Sequence, residues 1–359
     1  MYKTIPAVFA VDDTYQIMVR TEQNSLMWVK VGERCYYDHS NGILRSDTKI
    51  HRVTVPASAL DSCSSYTVFE RPVIERKPYF SETGEVKEST YEFRPVTGDN
   101  IRAYHIADAH NMIDAPERAA KAYGDFDFLI LNGDIPDHSG TCGNFDNIYE
   151  LCGRLTHGNI PIVFSRGNHD MRGVCAEKLA DYTPTANGKS YFTVRLGRFW
   201  GLILDCGEDK PDTHPEYGST ICCHAFREEE TEFINKVIEE NKYSDPGITC
   251  RAVIVHNPFN RKHKEPFNIE NDIYNTWTKL LKDHIKPDIM ICGHEHKIAL
   301  DMPGGDEDYR GQPCPVAIMS ETDYKDHFAG AGFEFFKDGK IEITVTDSDG
   351  NTKNIFKLN

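Results

Sequence analysis

Metal-binding residue types recur directly after short apolar runs in the second half of the chain. The groups that follow these runs are Asp108-Ala109-His110, Gly133-Asp134, Gly167-Asn168-His169-Asp170, His256-Asn257 and Gly293-His294-Glu295-His296. Because sites in open α/β sheets form at the carboxyl ends of strands, five such strands would direct these side chains to one region. A single group of this kind is usually a turn, but five in order predict a shared site.

The residue types indicate which ions such a site would hold. Imidazole and carboxylate ligands without thiolates suit manganese, iron, zinc or cobalt. The ligands are too numerous for one ion and predict two, and a carboxylate such as Asp134 can bridge a pair. Two ions about 3.5–4 Å apart can hold a hydroxide and clamp the entering and leaving oxygens of a phosphoryl group. We expect Gly133, Gly167 and Gly293 to let the backbone turn sharply beside the ions.

The elements that must position these residues alternate between strands and helices from Ile101 onward. Seven apolar runs are predicted as strands: "IRAYHIAD", "FDFLILNGD", "IPIVFSRGN", "FWGLILDCG", "RAVIVHNPF", "PDIMICGHE" and "PVAIMSE". "DAPERAAKAYG" predicts a helix that begins near Pro116 and ends at Gly124, and "REEETEFINKVIEEN" and "IYNTWTKLLKDHI" predict two more. Asp338-Gly339 predicts the turn of a C-terminal hairpin. This alternation predicts a layered α/β domain.

The first part of the chain has a different pattern. Up to about Pro95 it shows about seven short strands separated by turn residues, which predicts a small antiparallel sandwich of the fibronectin III or immunoglobulin-like kind. "TGDN", residues 97–100, is a plausible junction. We therefore predict an accessory β-sandwich over residues 1–96 and a catalytic domain over residues 97–359. A structural module beside the site is favoured over a carbohydrate or peptide binder.

Charge and cysteine content limit the possible partners. The chain has 359 residues and a formal net charge of −16, which argues against binding a nucleic-acid polymer or an anionic membrane. A small phosphorylated substrate remains compatible, because metal ions reverse the local field. The sequence shows neither an apolar run of membrane length nor the pattern of a signal peptide. Its 11 cysteines include no C-x-x-C pair, which predicts reduced thiols and a cytoplasmic location.

The ordered set D-x-H, G-D-x-x-D, G-N-H-D, H and G-H-x-H resembles the calcineurin-like metallophosphoesterase superfamily from Asp108 to His296. The resemblance implies a four-layer α/β/β/α sandwich that hydrolyses a phosphomonoester or phosphodiester by a metal-bound hydroxide. The preceding β-sandwich gives a layout similar to purple acid phosphatases. The resemblance also implies the ligand sets: Asp108, His110 and His296 for the first ion, Asn168, His256 and His294 for the second, and Asp134 as the bridge.

The same resemblance implies catalytic roles. His169 would donate a proton to the leaving group or hydrogen-bond the phosphate, and Asp170 would hold and charge its imidazole. Arg166 matches the arginine of the R-G-N-H-E stretch in protein serine/threonine phosphatases, so it would contact substrate oxyanions. The alternative for Arg166 is a surface salt bridge. His138 stands where those phosphatases carry a second arginine.

Other positions leave alternatives open. Purple acid phosphatases carry a tyrosine where this chain has Asp137, so we expect no iron–tyrosinate; Asp137 either orients a ligand or is a turn residue. The loop from Cys206 to Phe226 is a candidate lid, in which His214 and Tyr217 are more simply loop residues than substrate contacts. The locally basic segment 260–267 either meets an anionic leaving group or is a solvated turn.

Two functions remain under consideration. The first is an active two-metal phosphoesterase, and the second is a non-catalytic, metal-bearing interaction scaffold of the same fold. The complete ligand set favours the enzyme. Monoester and diester hydrolysis are not separable from the motifs, although the missing second arginine slightly favours diesters or nucleotides.

Overall fold

The computed structural model describes residues 3–359 and is dominated by β-strands joined by a few helices. Numbered in chain order within these residues, the strands are β1 (Ala7–Val11), β2 (Thr14–Arg20), β3 (Ser25–Val31), β4 (Arg34–Tyr37), β5 (His39–Ser40), β6 (Ile43–Leu44), β7 (Ile50–Pro56), β8 (Ser65–Glu75), β9 (Glu82–Thr83), β10 (Lys87–Glu92), β11 (Ile101–Ile106), β12 (Phe128–Asn132), β13 (Ile162–Ser165), β14 (Phe192–Leu196), β15 (Phe199–Ile203), β16 (Cys250–Ile254), β17 (Ile289–Cys292), β18 (Lys297–Asp301), β19 (Val316–Thr322), β20 (Phe328–Phe335), β21 (Ile341–Asp347) and β22 (Thr352–Leu358). The helices are α1 (Ala57–Cys63), α2 (Asp114–Tyr123), α3 (Asp146–Thr156), α4 (Leu179–Tyr182), α5 (Cys223–Glu240) and α6 (Asn271–Leu280).

Fifteen strands form one continuous hydrogen-bonded sheet with two halves, here called wings. The first wing contains β1, β2, β7, β11, β12, β13 and β20 to β22, and the second contains β14 to β19. The sheet runs in the order β14-β15-β16-β17-β19-β20-β11-β12-β13-β1-β2-β7, with β18, β21 and β22 attached beside it. The wings join where Glu321 of β19 pairs with Ala329 of β20. Strands β11, β12 and β13 are parallel neighbours in one wing, as are β15, β16, β17 and β19 in the other. Their carboxyl ends can therefore meet.

The two wings pack face to face and helices cover their outer faces. Residues from both wings share one buried core between the sheets, where the rings of Phe128 and Phe199 lie 5.0 Å apart. Helices α2 and α3 cover the outer face of the first wing, and α5 and α6 cover that of the second. The chain thus has the predicted four layers in the order α/β/β/α.

The N-terminal region is rich in strands, as predicted, and contains an antiparallel sheet in the order β10-β8-β3-β4. Its other strands extend the main sheet, because Phe9 of β1 pairs in parallel with Ile162 of β13 and β2 and β7 follow. All five residues of β1 are buried, so this strand requires cover on both faces. The region therefore shares a sheet with the rest of the chain, and a domain boundary at residue 96 stays a prediction.

The predicted elements of the second part agree with the structure. Each of the seven apolar runs contains a strand, and the helix expected to end at Gly124 spans Asp114–Tyr123. Acidic residues Asp114 and Glu117 occupy its first turn, where the helix dipole favours them. Helices α5 and α6 lie at the other two predicted helical stretches. Helices α1, α3 and α4 were not predicted. Within residues 3–359, no helix is both long and apolar enough to span a membrane.

Candidate metal centre

The five predicted ligand groups lie in the loops that directly follow β11, β12, β13, β16 and β17. The structure brings all seven predicted ligand residues into one cluster of side chains at the carboxyl ends of these strands: Asp108, His110, Asp134, Asn168, His256, His294 and His296. Their convergence results from the parallel pairing within each wing and the junction of the wings at β19 and β20. The ligation itself stays a prediction.

Asp108, His110 and His296 form the first group. Their ligand atoms all lie within 4.8 Å of one another. The two Nε2 atoms of the histidines are 3.2 Å apart, and His296 Nε2 is 3.2 Å from Asp108 Oδ1. Two imidazole nitrogens and a carboxylate oxygen facing the same point are a suitable ligand set for a transition-metal ion.

His256 forms the centre of a second group with two carboxylates. Its Nδ1 lies 2.6 Å from the backbone oxygen of Asn132, which can only accept, so Nδ1 carries the proton. The other nitrogen, Nε2, is buried without a hydrogen bond of good geometry, although Asp134 Oδ2 is 3.1 Å away and Asp108 Oδ1 is 3.7 Å away. Nε2 is therefore the nitrogen that faces the carboxylates, where either a proton or a metal ion can bind.

The electrostatics of this second group favour a cation. Burial opposes a charge on His256, but Asp134 and Asp108 outweigh it and raise the pKa of His256 to about 10. A metal ion at Nε2 would satisfy the same field that favours a proton there. The residues present therefore fit the ions that the ligand set implies.

Asn168 and His294 complete the predicted second set. His294 Nδ1 lies 3.0 Å from Asn168 Oδ1, and the His294 backbone N–H donates to Asp108 Oδ2 at 2.9 Å. Burial, followed by the charge on His256, lowers the pKa of His294 to about 4. The imidazole of His294 is therefore neutral at physiological pH, which is the form that binds metals.

Backbone strain is concentrated at the predicted ligands. Five of them have positive φ angles: Asp108 (54°), His110 (42°), Asp134 (54°), His294 (70°) and His296 (48°). Each such residue costs on the order of 1–3 kcal/mol and persists only when its surroundings hold it there. This clustering indicates a functional site, and no sequence pattern shows it.

The glycines beside the ligands have two different roles. Gly133 has a φ of +80°, and an added Cβ would lie 2.5 Å from the backbone nitrogen of Gly167. The predicted sharp turn therefore applies to Gly133. Gly293 instead permits a close approach, because an added Cβ would lie 2.5 Å from the Cβ of Ala107 and 2.8 Å from Asp108 Oδ2.

Outer partners orient three of the ligands. Asp137 Oδ1 lies 3.1 Å from His110 Nδ1, the contact that the ligand-orienting alternative for Asp137 expects. The hydroxyl of Tyr324 is 2.7 Å from His296 Nδ1, and Ser320 donates to Asp108. Sequence analysis did not identify Tyr324 or Ser320; the only signal was that Ser320 lies near the end of a predicted strand.

The predicted pairing of Asp170 with the His169 ring differs from what the structure contains. Asp170 Oδ2 accepts from the backbone nitrogens of Gly167 at 2.7 Å and Asp134 at 3.3 Å. Burial and the charge on Asp134 raise the pKa of Asp170 to about 7. Adjacent residues of a 3₁₀ turn direct their side chains apart, so Asp170 points inward while the His169 ring reaches the backbone oxygen of Asp137 at 2.8 Å.

Arg166 forms a salt bridge, but with a buried partner and not on the surface as the alternative expected. Its Nε lies 2.7 Å from Asp205 Oδ2, and its guanidinium lies over the ring of Phe226 at 5.2 Å. The arginine beside the His169 ring is Arg172, whose Nη1 is 3.0 Å from His169 Nε2. Sequence analysis missed Arg172, although it lies in the same short stretch.

The loop predicted as a lid lies against the centre. Asp209 Oδ2 is 4.0 Å from His294 Nε2, and the Tyr217 hydroxyl lies 3.1 Å from a carboxylate oxygen of both Glu208 and Asp209, between which its one hydrogen is shared. Tyr217 is thus a buried structural residue of this loop. His214 accepts from the backbone nitrogen of Glu216 at 3.4 Å within it.

In the basic segment 260–267, Lys262 and Lys264 are exposed, whereas Arg261 contributes little free charge. Arg261, its first basic residue, is buried and surrounded by three carboxylates: Glu295 at 3.2 Å, Asp301 at 2.9 Å and Glu307 at 3.0 Å. His138, which stands in place of the second arginine of related phosphatases, accepts from the backbone nitrogen of Gly140 at 2.9 Å.

Comparisons with known proteins agree with this geometry. A family model described as calcineurin-like phosphoesterase matches residues 101–298, a range that includes every predicted ligand. No curated protein matches the chain in sequence. The solved structure of a purple acid phosphatase isolated from yellow lupin (Lupinus luteus) seeds is similar, with a TM-score of 0.64 and 12% identity over 98% of this chain and 73% of that one. At this identity the likeness concerns the fold alone.

Proposed function

Because the chain belongs to the calcineurin-like phosphoesterase family, we propose that it hydrolyses phosphate esters with two transition-metal ions. The observation that carries this proposal is the convergence of the ligand residues around the buried His256. Its Nε2 faces Asp134 at 3.1 Å without a hydrogen bond of good geometry. A nitrogen buried beside two carboxylates can be satisfied by a proton or by a metal cation.

The proposed ligand sets are those that the family resemblance implies: Asp108, His110 and His296 for one ion, Asn168, His256 and His294 for the other, and Asp134 between them. The first set coincides with one of the close groups of ligand atoms in the structure. Two bound ions would supply Lewis acidity that activates a water and neutralises charge on the phosphoryl group. Manganese, iron and zinc all suit these nitrogen and oxygen donors.

The chain's own residues hold this centre in shape. Asn132 fixes the His256 tautomer, and Asp137 and Tyr324 orient His110 and His296. The His169 backbone N–H donates to Asp134 Oδ1 at 2.8 Å, and the His169 ring centroid lies 4.8 Å from that of His110. His169 is therefore placed beside the first group, where we propose that it serves the phosphoryl or leaving group.

The charges around the centre support a monoanionic diester as the preferred substrate. Asp137 and Asp209 add carboxylates to the rim beside His110 and His294, while the guanidinium of Arg166 is paired with Asp205. A dianionic monoester would meet more repulsion here than a diester with one negative charge, because close like charges repel strongly in a partly buried site.

Charge and cysteine content support the proposed substrate class and cellular compartment. The net charge of −16 suits a small substrate better than a nucleic-acid polymer or an anionic membrane. All eleven cysteines are free thiols, which supports a reducing compartment such as the cytoplasm.

The first experiment is elemental analysis of protein purified without chelator, with the same sample assayed on bis-(p-nitrophenyl) phosphate and p-nitrophenyl phosphate. We expect about two transition-metal ions per chain and faster turnover of the diester. Faster turnover of the monoester would contradict the diester preference. Two ions without turnover of either ester would favour the non-catalytic scaffold. A chain that binds no manganese, iron or zinc would refute the metal centre.

A further inference from the structure

Arg172 is fixed beside the metal centre by residues from two directions. Its Nε donates to Glu208 Oε1 and its Nη2 to Glu208 Oε2, both at 2.8 Å. Its Nη1 lies 3.0 Å from Nε2 of His169. The Glu208 side chain is only 1% exposed, whereas that of Arg172 is 26% exposed. One edge of the guanidinium is thus anchored to a buried carboxylate while part of the side chain remains open to solvent.

The hydrogen bonds of the His169 ring show which group is the donor. A guanidinium has no acceptor, so His169 Nε2 must accept from Arg172. The backbone oxygen of Asp137 can only accept, so the ring proton is on Nδ1, 2.8 Å from that oxygen. In this arrangement the neutral imidazole orients the guanidinium and offers no proton from Nε2.

The geometry points to Arg172 as the residue that contacts the substrate's phosphoryl oxygens, positioned by Glu208 and His169. Of its five N–H bonds, one on Nε and one on Nη2 are used by Glu208, one on Nη1 is used by His169, and Nη2 also lies 3.5 Å from Asp209. The second N–H of Nη1 has no partner among residues 3–359. A donor held in place before the substrate binds stabilises charge without reorganisation.

The charge balance of this group agrees with the preference for a diester. Glu208 compensates the guanidinium, so Arg172 supplies a directed donor with little net charge. Tyr217 donates to Glu208 Oε2 at 3.1 Å, which links the position of Arg172 to the 206–226 loop. The inference rests on the proposed function, because a phosphate ester must be the substrate for this contact to serve catalysis.

The test measures phosphate binding and turnover for Arg172→Ala and Arg172→Lys in the full chain. We expect the dissociation constant of inorganic phosphate, measured by calorimetry in the presence of Mn²⁺, to rise by ~10–100-fold in Arg172→Ala. Lysine keeps the positive charge but lacks the planar group of several N–H donors, so we expect an intermediate rise in the dissociation constant. The loss in kcat/KM should be similar for p-nitrophenyl and alkyl leaving groups, since a guanidinium donates no proton.

Arg195→Ala is the matched control, because Arg195 makes a similar two-point contact with Asp245 at 2.9 and 3.3 Å on the exposed surface. Phosphate affinity within twofold of wild type in both Arg172 variants, or no phosphate binding by the wild-type chain, would overturn the inference. If the wild-type chain hydrolyses neither ester but phosphate binds more weakly to the Arg172 variants, the proposed hydrolysis is refuted and the contact between Arg172 and phosphate is supported. If Arg172→Ala does not fold, Arg172→Lys decides.

Discussion

Replacing Asp137 tests whether the partner of His110 contributes to the affinity of the first metal site. The Asp137→Ala variant removes the carboxylate that lies 3.1 Å from His110 Nδ1. It leaves the backbone oxygen of Asp137, which pairs with His169, in place. We expect weaker binding of one of the two ions, since His110 loses the group that fixes its tautomer and orientation.

The size of the expected loss in metal affinity follows from the exposure of the His110 and Asp137 side chains. The His110 side chain is 1% exposed and that of Asp137 is 44% exposed. A hydrogen bond to a charged group contributes about 1.5–3 kcal/mol, and the exposed carboxylate places this one at the lower end. A loss of about 1.5 kcal/mol corresponds to ~10-fold in affinity. Asp137→Asn keeps an acceptor and loses only the charge, so we expect a smaller, ~2–5-fold loss.

The assay is a competition titration of Zn²⁺ between the protein and a chromogenic chelator, resolved into two sites. Asp306→Ala, at an exposed position, is the control for removing one negative charge. The reasoning fails if both dissociation constants of Asp137→Ala stay within twofold of wild type. It also fails if Asp306→Ala weakens binding as much as Asp137→Ala, because the effect would then come from overall charge.

Four further predictions follow from the site and the fold. Asp134→Asn should lose bound metal, because this carboxylate faces His256 at 3.1 Å; elemental analysis that still finds two ions contradicts the bridging role. His169→Ala should keep both ions but lower kcat/KM by ~10–100-fold for p-nitrophenyl and alkyl leaving groups alike, because it removes the acceptor that positions Arg172, and unchanged turnover of both removes His169 from the mechanism. Phe9→Ala should lower the free energy of unfolding by about 3–5 kcal/mol, because Phe9 is fully buried and packs edge to face against Phe164; the exposed Phe80→Ala should change it by less than about 0.5 kcal/mol, and equal effects in urea denaturation contradict the packing argument. Deletion of residues 1–96 should yield aggregated protein, because it uncovers the edge of β13 that pairs with β1; a soluble, monodisperse chain of residues 97–359 would show that the second part folds alone.

Much of the fold and of the candidate centre could be predicted from the sequence because the signals are local. Each apolar run is a strand because both faces of a central strand are buried, and this requirement is visible in a few consecutive residues. The ligand types stand directly after the runs, at the carboxyl ends of strands where the sites of open α/β sheets form. Asp108, Asp134 and His256 could thus be assigned to one region without knowledge of how the sheets pack.

The N-terminal region contains a strand pairing that local sequence signals do not predict. Its strands were correctly read from alternating residues, but β1 pairs with β13 across a sequence separation of more than 140 residues. Alternation within one strand contains no information about its neighbour, because many strands offer the same hydrogen-bonding edge. Only the packed core between the wings selects this pairing.

The sequence by itself determined which residues could bind metals and in what order they follow the strands. The tertiary structure decided the partners: Asp137 and not Asp170 for the His169 ring, Asp205 for Arg166, Tyr324 for His296, and His169 with Glu208 for Arg172. Side-chain partners depend on distances of about 3 Å between segments that are far apart in sequence. Such distances are set by how the layers and loops pack, which no short stretch of sequence contains.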